Sequence, residues 1–244
     1  MAHAFSQVDV FATAPLSGNP VAVVHDAGGL TTEKMAAFTR WMNLSESAFL
    51  LEPTVDGADY RVRIFAPGGE LPFAGHPTLG SAHAWTAAGG VPADPATVVQ
   101  QCDAGLVRLR REGDVWSFAA PEFLREGPAD EADVGAALRM LNIPTHALVT
   151  AHWIDNGPGW LGLLLRSAED VLAAHADLAR LAMSIGIIGA HGDGGPATFE
   201  VRAFSHLIPG GEDPITGSLN AGFGVWLPQA GLAPPTACAS RDAG

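Results

Sequence analysis

The sequence predicts an α/β or α+β protein made of two similar halves, and three observations carry the prediction. One phrase occurs twice: Pro67-Gly68-Gly69-Glu70-Leu71-Pro72-Phe73-Ala74-Gly75 returns as Pro209-Gly210-Gly211-Glu212-Asp213-Pro214-Ile215-Thr216-Gly217, shifted by 142 residues with six of nine positions identical. The echo extends both ways, with Tyr60–Phe65 matching Phe199–Phe204 at a shift of 139, and Gly80 meeting Gly222 at 142. Helical and strand patterns interleave throughout, with no low-complexity segment. A period this long is too large for a solenoid and suits two half-domains. An active site is expected where the two copies meet.

The elements follow in order. Ala4–Phe11 alternates as a strand, and the turn chemistry of Ser17-Gly18-Asn19-Pro20 leads into a short buried strand, Val21–Val24. Thr31 or Thr32 can cap a helix running to Met42, after which Asn43–Glu46 breaks into a strand, Ala48–Leu51. Tyr60–Phe65 is a further strand. A helix of small residues is expected from Pro77 to Ala88, proline suiting its first position. Strands are expected at Thr97–Gln101, Leu106–Arg111 and Val115–Ala119, and the join between halves within Pro121–Asp130, giving halves 1–122 and 123–244. The second half reads as a helix at Glu131–Leu141, strands at Ala147–Ile154 and Trp160–Leu165, and helical stretches at Ala168–Ala174 and Asp177–Ser184. Strands at Ile185–Ile188 and Thr198–Phe204 precede a second small-residue helix, Gly217–Leu227; His191–Gly195 reads as a loop.

Composition narrows the function classes. Hydrophobic content of 48% with 16% charged residues describes a compact globule. The net charge of −13 has the wrong sign for nucleic acid or an anionic membrane, so neither is expected as a partner. Two cysteines, Cys102 and Cys238, are too few for a disulfide framework or zinc ribbon. No signal peptide is visible at the N-terminus and no apolar run reaches the roughly 20 residues a bilayer needs, so the expected location is the cytoplasm.

Each repeat copy ends in a glycine that opens a helix. Unpaired N–H groups at a helix start carry partial positive charge, and glycine lets a ligand come close, so two such starts could grip a small carboxylate. The alternative is that these glycines only shape turns. Asp213 breaks the symmetry opposite Leu71, and His76 opposite Ser218; distinct acid and base roles would need such differences. Either residue could equally serve structure, Asp213 by bonding loop N–H groups and His76 by packing. Glu46, at the mouth of a buried strand, is a candidate for a raised pKa and proton shuttling, or is simply an exposed strand-start carboxylate. No phosphate loop, dinucleotide fingerprint or nucleophile elbow occurs. His76 and His83 share a helix face but, at about 1.5 Å per residue, lie too far apart for one metal ion. No metal site is expected.

Gln7-Val8-Asp9-Val10-Phe11, Ser17–Val23, Asn43-Leu44-Ser45-Glu46-Ser47, Glu70–Thr78, Asp155-Asn156-Gly157-Pro158-Gly159-Trp160 and Glu212–Ser218, in that order across nearly the whole chain, resemble the PhzF family of phenazine-biosynthesis isomerases. The resemblance implies an α+β, diaminopimelate-epimerase-like fold: two pseudo-symmetric α/β halves, each a mixed sheet wrapped around a central helix, with the site in the cleft between them. It implies cofactor-free proton transfer on a small unsaturated carboxylate, such as trans-2,3-dihydro-3-hydroxyanthranilate, and a homodimer. By motif match the acid/base glutamate falls on Glu46, with His76 and Asp213 as catalytic partners. Asn19, Ser45, Gly75, Gly217 and Ser218 fall among the substrate-binding positions. Related epimerases and racemases, the alternative activity, place a cysteine where Ala74 and Thr216 stand. A third alternative is a protein that binds a small carboxylate without turning it over. Ser47 replaces the usual threonine, Ser205–Ile208 departs from the family pattern, and the family usually continues beyond Ser240 with a glycine-rich turn and further strands. The expectation is therefore a second half short at its C-terminus.

Overall fold

The structure, a computed structural model, describes residues 3–12, 14–113, 115–120, 122–177, 179–206, 211–213 and 216–232. Pro121, Leu207–Gly210, Pro214-Ile215 and the stretch 233–244, on which parts of the repeat, the join and the C-terminal departure fall, lie outside the described residues. Two compact units emerge, one ending at Ala119 and the other beginning at Ala120.

The first unit runs β1 (Phe5–Val10), β2 (Asn19–Val24), α1 (Thr32–Met42), β3 (Ser47–Leu51), β4 (Tyr60–Ala66), β5 (Gly69–Leu71), α2 (Gly75–Ala87), β6 (Thr97–Cys102), β7 (Gly105–Glu112) and β8 (Val115–Phe118). Its strands form one mixed sheet in the order β1-β2-β3-β4-β6-β7-β8, with β5 paired to β4. Helix α2 touches β1, β2, β3, β6 and β8, which include both ends of that order, so the sheet curls around it. Small residues permit this: His76 through Ala82 are all buried, and a Cβ on Gly80 would lie 2.4 Å from Val21 Cγ1. A helix enclosed on all sides needs no polar face. On the outer surface α1, capped by the Thr31 hydroxyl, sets Met35 against Val24, Phe49 and Phe65.

The second unit runs β9 (Arg125–Pro128), α3 (Glu131–Met140), β10 (Leu148–Asp155), β11 (Trp160–Leu165), α4 (Ala168–Leu172), β12 (Ser184–Ala190), β13 (Phe199–Phe204), β14 (Glu212–Asp213) and α5 (Gly217–Gln229). The sheet order is β14-β13-β12-β11-β10-β9. Strand β11 is buried on both faces, as a strand parallel to its neighbour requires. Trp160 and Leu164 pack with Leu219, Phe223 and Trp226 of α5, while Leu161, Leu163 and Leu165 pack with Leu138 of α3 and Val171 of α4.

The two units share a pairing scheme. β1 is antiparallel to β2, β2 parallel to β3, β3 antiparallel to β4 and β4 antiparallel to β5; β10 through β14 pair in that same sequence of senses. Registers agree residue by residue: Phe65 faces Glu70 as Phe204 faces Glu212, and Ile64 faces Leu71 as Ala203 faces Asp213. The protein is thus α+β, two mixed sheets each wrapped around a helix.

Two expectations need correction. The first small-residue helix starts at Gly75, not Pro77, which matches the start of its copy at Gly217. Among the described residues of Asp177–Ser184 none is helical. The backbone here is bonded elsewhere: His175 N–H donates to Leu141 and Asp177 N–H to Met140 at the end of α3, and the Asp177 carboxylate accepts from Ala179 N–H in a local turn. The strand β9 lies in the stretch read as a join.

Candidate active site

In the first unit, the residue that follows the helix-opening Gly75 is His76, whose ring is held at both nitrogens. Nε2 lies 2.9 Å from the carbonyl oxygen of Asn19, at the start of β2, and Nδ1 lies 3.1 Å from Glu46 Oε2. A carbonyl can only accept, so Nε2 carries hydrogen and donates. One proton must then occupy the Nδ1···Oε2 axis, on imidazolium facing carboxylate or on carboxylic acid facing neutral imidazole, since two lone pairs would repel. The His76 side chain is 6% exposed and that of Glu46 23%, so the pair meets solvent through its carboxylate. Phe11 flanks the imidazole at 6.4 Å between ring centres. Glu46 stands between Asn43, whose left-handed backbone ends α1, and Ser47, buried in β3. Gly75 faces the Phe118 ring, which would lie 3.0 Å from an added Cβ. Ser45 is exposed.

In the second unit, Ser218 occupies the position of His76, one residue into the helix. Its hydroxyl accepts from Trp160 Nε1 at 2.9 Å, leaving its own proton to be donated elsewhere, and its carbonyl accepts from the Asn156 amide at 2.8 Å. Asp213, half-buried at the end of β14, accepts from the Thr216 hydroxyl at 2.7 Å. Thr216 and Ala74, the positions of cysteine in epimerases, are the two N-cap residues, and neither side chain caps its helix. The first N–H groups of both helices therefore lack side-chain acceptors from those caps.

Of the eight residues singled out in the sequence, Glu46, His76 and Asn19 form one hydrogen-bonded chain; Gly75 adjoins it, and Ser45 precedes Glu46 on the surface. Asp213, Gly217 and Ser218 sit together at the start of α5. Sequence reasoning missed the supports. Asp9 accepts N–H bonds from Leu16 and Gly18, and Asp155 accepts them from Gly157 and Gly159, closing the β1–β2 and β10–β11 loops. An aspartate at a strand end followed by turn glycines was the available signal. Among the described residues, no group of three or more His, Cys, Asp or Glu side chains is placed to hold a metal ion. A cavity of about 840 Å³ in the first unit, lined by Arg61, Trp85, Ala88 and Gly89 among others, contains none of the candidate residues and lies by the far end of α2.

Comparison with known proteins agrees with this architecture. The family model described as phenazine biosynthesis-like protein matches residues 8–241. Antisense-enhancing sequence 1 of Schizosaccharomyces pombe is 38% identical over 238 residues, covering 92% of this chain and 80% of that protein. Trans-2,3-dihydro-3-hydroxyanthranilate isomerase of Pseudomonas fluorescens is 33% identical over 236 residues, covering 94% and 81%. The crystal structure of an Enterococcus faecalis phenazine biosynthesis protein of the PhzF family superposes with a TM-score of 0.76 at 22% identity, over 94% of this chain and 84% of that one. With its twinned wrapped helices and a family match over nearly its whole length, the chain belongs to the phenazine biosynthesis-like PhzF family and is an isomerase of that family.

Proposed function

We propose that the protein is a cofactor-independent isomerase that moves a proton within a small unsaturated carboxylic acid, of the class to which trans-2,3-dihydro-3-hydroxyanthranilate belongs. The observation that carries this reading is the geometry of the pair, with His76 Nδ1 3.1 Å from Glu46 Oε2 while Nε2 lies 2.9 Å from the Asn19 carbonyl oxygen. In the reactive form Glu46 is a carboxylate beside imidazolium. It removes a proton from a carbon next to an unsaturated system, the C–H pair of electrons moves into that system, and the proton returns to a different carbon. His76 stays bonded to Glu46 throughout and offsets the change in its charge.

The remaining candidates supply binding. Gly75, Gly217 and Ser218 offer helix-start N–H groups and, at Ser218, a hydroxyl that accepts from Trp160 and so keeps its own proton to donate, all suited to a carboxylate. Asp213, the residue that breaks the repeat, accepts hydrogen bonds and suits an amino or hydroxyl substituent of the substrate. Ser45 and the strand start at Asn19 complete the set. Epimerisation between two thiols is disfavoured by Ala74 and Thr216.

The test is Glu46→Gln, which keeps the hydrogen bond and removes the base. Turnover of trans-2,3-dihydro-3-hydroxyanthranilate should fall by at least about 10²-fold, the lower end of what general acid–base catalysis contributes, with the fold intact by circular dichroism. Full activity in that variant would remove Glu46 from the mechanism. The same reaction in deuterated water should place deuterium at the carbon that receives the moved proton; label at an inverted stereocentre would assign epimerisation instead.

A further inference from the structure

We propose that Asp9 is a positioning residue for the Glu46–His76 pair, acting through the turn that ends at Asn19; this rests on reading the pair as the proton carrier. The links are short and continuous. Asp9 Oδ2 accepts from Leu16 N–H at 2.7 Å and Oδ1 from Gly18 N–H at 3.0 Å. The turn Ala14–Ser17 is closed on itself by Ser17, whose hydroxyl bonds both backbone groups of Ala14. Leu16 has φ of 67°, a left-handed conformation that a leucine keeps only where its surroundings hold it, and its side chain is 97% exposed, so packing does not hold it. Within the turn the Ser17 bonds to Ala14 hold it, and the Asp9 carboxylate, bonded to the Leu16 N–H itself, ties the turn to β1.

Gly18 is fixed from the other side. A Cβ there would lie 2.3 Å from the Val10 carbonyl oxygen and 2.8 Å from Asp9 Oδ1, so the chain passes close against β1. The next residue is Asn19, buried, and its carbonyl is the acceptor that assigns hydrogen to His76 Nε2. Asp9 therefore sets where that carbonyl points, the carbonyl keeps hydrogen on Nε2 and fixes the ring's orientation, and Nδ1 is left facing Glu46. A purely structural Asp9 would close the turn without affecting the ring.

The second unit repeats the device with a different outcome. Asp155 Oδ1 accepts from Gly157 and Gly159 N–H at 2.8 and 2.7 Å, and the next residue, Trp160, donates to the Ser218 hydroxyl. In both units an aspartate-closed loop presents one group that fixes the hydrogen-bond polarity of the helix's second residue. In the first that group is an acceptor, in the second a donor.

The experiment is nitrogen-15 NMR of the full chain labelled at histidine, which requires no substrate and is therefore independent of whether Glu46→Gln loses activity. In the native protein His76 should show a protonated, slowly exchanging Nε2. Asp9→Asn keeps the size but can accept only one of the two N–H bonds. The expected result is an Nε2 proton exchanging about tenfold faster or more, with a shifted ring-nitrogen signature, while backbone amides outside residues 9–20 keep their positions. His76 signals that coincide with the native ones in Asp9→Asn would overturn the proposal. Should Asp9→Asn fail to fold, Gly18→Ala displaces the same turn with Asp9 intact, and unchanged His76 signals there would overturn it equally.

Discussion

At the scale of single residues, the repeat preserves an ion pair as well as a backbone. Arg63 Nε and an outer guanidinium nitrogen each lie 2.6 Å from the Glu70 carboxylate, and Arg202 makes the same two-pronged pair with Glu212 at 2.7 and 2.9 Å. Each guanidinium also covers a phenylalanine ring two residues on, Phe65 at 5.2 Å and Phe204 at 4.8 Å. These clips hold β5 on β4 and β14 on β13. The Arg63 hydrogen bonds hold the Glu70 carboxyl below its ordinary value of 4.5. A depressed carboxyl stabilises the fold above its unfolded pKa and loses that contribution as pH falls through its folded value. Glu70→Gln should therefore cost roughly 1 kcal/mol at neutral pH, modest because the pair is partly exposed, and progressively less below pH 4.5. Urea unfolding of both proteins at pH 7 and in acid checks this; an equal deficit at both would assign the effect to packing.

At the scale of elements, the same substitution should act oppositely in two helices. Alanine is favoured over glycine in a helix by about 1 kcal/mol. In α2, Gly80 has no room for a methyl group against Val21, itself fully buried, and overpacking costs about 1–3 kcal/mol. Gly80→Ala should thus destabilise the protein. In α3 the nearest atom to a Cβ on Gly135 is the flexible end of Arg139 at 3.2 Å, so Gly135→Ala should stabilise it by up to about 1 kcal/mol. Thermal denaturation of the two variants reads the signs directly. Elements were legible where local chemistry dominated, as with the Thr31 cap and the alternating Tyr60–Phe65 strand. They were not where tertiary bonds decided: Asp177–Ser184 has helical composition, but the Asp177 amide is taken by Met140 at the end of α3 and its carboxylate by the Ala179 N–H in a local turn. The hairpin strands β5 and β14 are too short, at three and two residues, to leave a periodic signal.

At the scale of the whole molecule, the duplication was visible in sequence over the glycine hairpin and the strand and helix beside it, and the structure extends it to five strands of each unit. The rest had diverged because a buried strand asks only for apolar side chains, so Val21–Val24 and Leu161–Leu164 share a role without sharing an alignment. Asn19, Glu46 and His76, which the structure joins by hydrogen bonds, all lie within the family motifs; Asp9, Asp155, Asn156 and Trp160 were not assigned roles, because loop-closing bonds depend on where the chain returns. Among the described residues, no helix is long and apolar enough to cross a membrane. Cooperativity can be followed through Tyr60, the sole tyrosine, which is fully buried, donates to Gln100 and stacks on Trp85 at 5.3 Å. Burial pushes its hydroxyl well above the ordinary 10.0, so above that pH the unfolded chain ionises, the folded one does not, and stability falls. Tyrosinate absorbance should therefore appear only together with loss of circular dichroism; a reversible titration near pH 10 with the fold intact would contradict this burial.

The paired arginine clips and aspartate-closed loops also bear on ancestry. They secure each half's framework without drawing on the residues at positions 71 and 213 or 76 and 218. After a gene doubled, those places could mutate separately at little risk to folding. A histidine in one unit and a serine in the other, a leucine here and an aspartate there, are the differences such a doubling leaves room for.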